Sequence, residues 1–66
     1  MSQPKIVKSY KVGLTKLDDK DYIVITLITD EGEEVFLLEW GFFARNLAVD
    51  IIKYNSEVSV RKRYSL

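Results

Sequence analysis

Sixty-six residues suffice for one domain with a marginal core, because so short a chain buries too little surface to be strongly stabilised by packing alone. The absence of cysteine and histidine excludes disulfide staples and Cys/His zinc sites, and it removes the commonest general bases and nucleophiles at neutral pH. Ten basic residues balance ten acidic ones, so neither a DNA-coating role nor acidic DNA mimicry follows from net charge.

Residues 5–15 place Ile6, Tyr10, Val12 and Leu14 on one parity and Val7, Ser9, Lys11, Gly13 and Thr15 on the other, the period-2 pattern of a half-buried strand. Lys8 is the one polar residue on the apolar parity. The cluster Asp18-Asp19-Lys20-Asp21 reads as a reversal. Residues 22–29, YIVITLIT, are so rich in β-branched and aliphatic side chains that a strand is expected with both faces apolar. Asp30-Glu31-Gly32 supplies a second turn, and residues 33–40 a third strand.

From Phe42 to Tyr54 the apolar residues Phe43, Ala44, Leu47, Ala48, Ile51 and Tyr54 recur at helical spacing. Gly41 is the nearest tolerable N-cap, and Asn55-Ser56 offers a stop. Residues 57–64, EVSVRKRY, alternate again and predict a fourth strand. The expected fold is therefore one α+β domain over residues 1–66, a four-stranded, mainly antiparallel β-β-β-α-β sheet with one helix packed on one face. The last strand is expected beside the first, in order 3-2-1-4, with 4-3-2-1 as the alternative.

No apolar run follows a basic start, and nowhere do about 18 apolar residues succeed one another. A soluble, cytoplasmic chain with no membrane contact is expected. The acids at positions 18–21 and 30–34 read as solvated turn residues rather than paired catalytic carboxylates, and their spacing is not that of a calcium loop. The glycine-containing turn is acidic and would repel phosphate. The expectation is a non-enzyme without catalytic residues, cofactor or metal.

Two constellations carry binding potential. Phe42, Val49 and Ile52 fall away from the main helical stripe, and the second strand must turn either Tyr22, Val24 and Ile28 or Ile23, Ile25 and Leu27 to a sheet face that one helix cannot cover. With Trp40 at the strand-to-helix junction, the candidate protein-binding residues are Trp40, Phe42, Val49, Ile52, Tyr22 and Val24. The second constellation needs the first and last strands to be neighbours. Lys8, Lys11, Arg61, Lys62 and Arg63 would then line one edge beside Tyr10 and Tyr64, suited to phosphates and unpaired bases, although basic residues also guard edge strands against aggregation.

Charge is unevenly spread. Residues 1–16 hold four lysines and no acid, whereas residues 17–40 hold eight acids against Lys20 alone. A protein partner can use both poles of such a dipole, and nucleic acid can use only one. The leading expectation is a non-catalytic protein-binding module of inhibitor or adaptor type, homodimeric, that occupies the surface of an unidentified protein. The alternative is a small nucleic-acid-binding domain working through the basic edge. In size and economy the chain resembles the short accessory proteins of viruses and mobile elements, a likeness of scale rather than of motif.

Overall fold

A computed structural model describes residues 3–64, with side chains to residue 63. Strand β1 (Val7–Leu17) pairs antiparallel with β2 (Lys20–Thr29), which pairs antiparallel with β3 (Gly32–Glu39), and helix α1 (Phe42–Tyr64) follows. The class is α+β, and the spatial order β1-β2-β3 is that of a meander.

The turns follow from their residues. Leu17 faces Lys20, leaving Asp18-Asp19 as a two-residue loop with φ of 51° and 66°. Positive φ at both central positions is the type I′ turn, whose twist matches that of the flanking strands, and aspartate tolerates the left-handed region better than most side chains. In the second turn Gly32 takes the positive φ, 121°. Thr29 Oγ1 accepts a hydrogen bond from Glu31 N at 3.1 Å and donates one to Gly32 O at 3.2 Å, which fastens that turn from inside.

The strand pattern carries one irregularity, a register shift between Val7 and Ser9. Lys8, the polar residue on the apolar parity of β1, is the residue left out of the pairing. A bulge there resets the alternation, so the lysine is accommodated without occupying an apolar position.

Two expectations are corrected. Residues 57–64 form the end of α1 and not a fourth strand, so the order 3-2-1-4 and its alternative both fall. Lengthening an existing helix adds a hydrogen bond per residue without a new nucleus, and Val58 continues the spacing of Leu47, Ile51 and Tyr54. Glu57 and Arg61 pair at 3.8 Å one turn apart, and Arg61, Lys62 and Arg63 in the last turn oppose the negative end of the helix dipole. Asn55-Ser56 is therefore passed through rather than serving as a stop.

The helix is also not packed on a sheet face. Gly41, at φ 122°, is its N-cap, and its carbonyl accepts the first helical bond from Arg45 N at 3.0 Å. Past this turn α1 touches β3 alone, and it makes no contact with β1 or β2. The chain measures 52 × 29 × 23 Å with a radius of gyration of 15.1 Å, where a compact chain of this length has about 11 Å.

Candidate functional site

Strand register sorts the sheet residues onto two faces, because partners directly opposite each other share a side. Tyr10, Val12 and Leu14 of β1 lie opposite Leu27, Ile25 and Ile23 of β2, which in turn face Glu34, Phe36 and Leu38 of β3. Eight apolar side chains thus share one face. The other is mixed: Tyr22, Val24, Ile28, Val35 and Leu37 alternate with Ser9, Lys11, Thr15, Thr26, Glu33 and Glu39.

Neither face is covered. Among the described residues no apolar side chain is buried, and the only buried residue is Thr29. Leu14 on the apolar face is 84% exposed, and Tyr22 to Ile28 of β2 are half-buried only because β2 is the central strand. The accessible surface is 6366 Å², against about 4,300 Å² for a folded monomer of this mass.

Helix α1 repeats the pattern. Ala44, Leu47, Ile51, Tyr54 and Val58 recur at alternating steps of three and four, a continuous apolar seam, and Phe43 extends it at the N-terminal end. Leu47, Ile51, Tyr54 and Val58 are all exposed. The expected core face of the helix, Phe43, Ala44, Leu47, Ala48, Ile51 and Tyr54, makes up most of this seam, and none of these side chains is buried.

The candidate protein-binding residues fall into two groups. Trp40 is 72% exposed and lines a shallow hollow with Leu14, Asp21, Tyr22 and Ile23, so the structure brings Trp40 and Tyr22 together at one end of the sheet. Val24 lies on the mixed face with Tyr22. Phe42, 80% exposed, shares the second helical stripe with the exposed Val49 and Ile52. Residue spacing alone missed the joint face of Tyr10, Val12, Leu14, Phe36 and Leu38; its signal was the shared parity within each strand, but only pairing shows that the parities coincide.

The basic constellation is dispersed. Tyr10 belongs to the apolar face, Lys11 to the opposite face and Lys8 to the bulge, while Arg61, Lys62 and Arg63 stand at the far end of α1, which makes no contact with β1. The edge that required the first and last strands to be neighbours does not exist, because the last strand is helix.

Charge is concentrated near the turns. Lys5 Nζ lies 3.2 Å from Glu34 Oε2 and 3.8 Å from Glu31 Oε2, and Lys16 Nζ lies 4.0 Å from Asp21 Oδ1. Lys53 Nζ stands 5.4 Å from the centre of the Tyr54 ring, a cation–π distance. Among the described residues there is no group of three or more acidic side chains placed to hold a metal ion, and no helix long and apolar enough to cross a membrane. No protein-family model, no curated protein and no solved structure matches this chain.

Proposed function

We propose that this chain is a non-catalytic protein-binding module, an inhibitor or adaptor that works as a homodimer by occupying the surface of another protein. One observation carries the reading: among the described residues nineteen large apolar side chains are exposed and no apolar side chain is buried. Isolated exposed aliphatics are ordinary, but a contiguous apolar face marks an interaction site.

The magnitudes favour association. The surface in excess of a compact monomer is about 2,000 Å² per chain. A standard interface buries about 800 Å² per partner, and obligate homodimers bury about 2,000–5,000 Å² in total, so the excess fits a partner that is part of the fold. A cytoplasmic setting belongs to the same proposal, supported by the lack of cysteine.

The test has two arms. Sedimentation equilibrium should give about twice the 7.7 kDa chain mass, and a protein retained on immobilised chain should be lost on Trp40→Ala without loss of the dimer. A folded monomer at micromolar concentration would overturn the homodimer. Affinity for oligonucleotides that falls steeply with salt and with Arg61→Ala plus Arg63→Ala would instead support nucleic-acid binding.

A further inference from the structure

The uncovered apolar sheet face and the uncovered helical seam are comparable in width, and the seam is long enough to span the face. The outer strands of a three-stranded sheet lie two strand spacings apart, about 9.5 Å, and one helix is about 10–12 Å across. Along the strands, the face from Tyr10 to Leu14 extends about 13 Å at roughly 3.3 Å per residue. The helical seam from Phe43 to Val58 extends about 22 Å at about 1.5 Å per residue. One such helix is sufficient cover for one such face.

Within a single chain the two do not meet. The two-residue link Trp40-Gly41, with Gly41 at φ 122°, leads α1 away from the sheet, and the helix touches only β3. A second copy supplies what is missing. Charge points the same way: residues 5–40 hold five lysines against eight acids, net −3, and residues 42–64 hold five basic residues against two acidic ones, net +3. A helix laid on another copy's sheet brings opposite net charges together.

We propose that two copies exchange helices, α1 of each lying with its Leu47–Ile51–Tyr54–Val58 seam across the Val12–Ile25–Phe36 face of the other, in a two-fold symmetric dimer. The arrangement rests on the homodimer reading above and assigns its surfaces. It is isologous, so the same pair of surfaces is used twice and the assembly closes. Both the apolar face and the seam are covered at once, whereas sheet-to-sheet pairing leaves the seams bare and helix-to-helix pairing leaves the sheets bare. The mixed face, with Tyr22 and Val24, stays outside and is the surface left for a different protein.

Isotope-filtered NOE spectroscopy on a mixture of labelled and unlabelled wild-type chain tests this without any substitution. Interchain NOEs are expected between side chains of Ile51 or Tyr54 and those of Val12, Ile25 or Phe36. Cross-linking gives an independent readout, since the chain has no native cysteine. Mixing Val12→Cys chains with Ile51→Cys chains and adding a short bismaleimide should yield several-fold more linked dimer than either variant alone. Interchain NOEs confined to helix with helix, or to sheet with sheet, would overturn the exchange while leaving the homodimer intact. A monomer whose helix–sheet NOEs are all intrachain would overturn both, and a dimer lacking any helix–sheet interchain NOE would overturn the exchange.

Discussion

Lys5 Nζ reaches Glu34 Oε2 at 3.2 Å, joining the segment ahead of β1 to the start of β3 past the end of β2. The same ammonium lies 3.8 Å from Glu31 Oε2, so one lysine bridges two acids of the acidic hairpin. Both side chains of the closer pair are about two-fifths exposed, 42% and 43%, and solvent screening limits such a pair to about 0–1 kcal/mol. Lys5→Ala should therefore lower stability by less than about 1 kcal/mol in urea titration at fixed chain concentration. The difference should shrink as salt is raised, and a larger, salt-independent loss would show that packing rather than charge holds this segment.

The two sheet faces should respond differently to one buried-size charge. Ile25 and Val24 are neighbours in β2 that point to opposite faces. Ile25→Lys puts an ammonium in the middle of the apolar face and should abolish association and the cooperative thermal transition, because desolvating an unpaired charge costs several kcal/mol. Val24→Lys should keep the dimer and lose the captured protein. Equal effects of the two changes on sedimentation would remove the distinction between the faces.

The first turn offers a gain in stability. Asp19 sits at φ 66°, a region that costs an ordinary side chain about 1 kcal/mol and glycine almost nothing. Asp19→Gly produces the Asp-Gly pair preferred in type I′ turns. A stabilisation of about 0.5–1 kcal/mol is expected by chemical denaturation, and a loss would mean that Asp19 makes a favourable contact of its own.

Gly41 is the converse case. Its φ of 122° is unfavourable for any L side chain, yet a Cβ there would meet no atom within 4 Å. The cost of Gly41→Ala is thus purely conformational, about 1–3 kcal/mol. The melting temperature should fall while far-ultraviolet circular dichroism of the folded state remains unchanged; an unaltered melting temperature would indicate that this turn is not held at positive φ.

A proline near the end of α1 checks the helical assignment of residues 57–64. Val58→Pro removes one backbone donor and clashes with the preceding turn, so the mean helical ellipticity should drop by roughly a third of the helix's contribution. Unchanged ellipticity would restore the case for extended structure there.

The local alternation of β1, the dense apolar run of β2, both turns and the first half of α1 were legible in the sequence, because each depends on residues a few positions apart. Lys8 was visible as an anomaly, but its resolution into a bulge needed β2 as a partner. The tail was misread for a related reason: Val58 and Val60 satisfy period 2, while Val58 also continues the stripe from Leu47, and single-chain spacing does not choose between them. What decided was cooperativity, since a strand at 57–64 requires an edge to pair with, whereas the helix that precedes it is already formed.

The sequence by itself determined how much apolar surface this chain carries and at which periods it recurs. Only the tertiary structure decided that Tyr10, Val12, Leu14, Ile23, Ile25, Leu27, Phe36 and Leu38 share one face, since facing is a property of strand pairing rather than of composition. It also decided that the helix seam and this face remain apart. The direction in which α1 leaves the sheet is set by backbone dihedrals over the two residues Trp40 and Gly41, and spacing patterns carry no information about that angle.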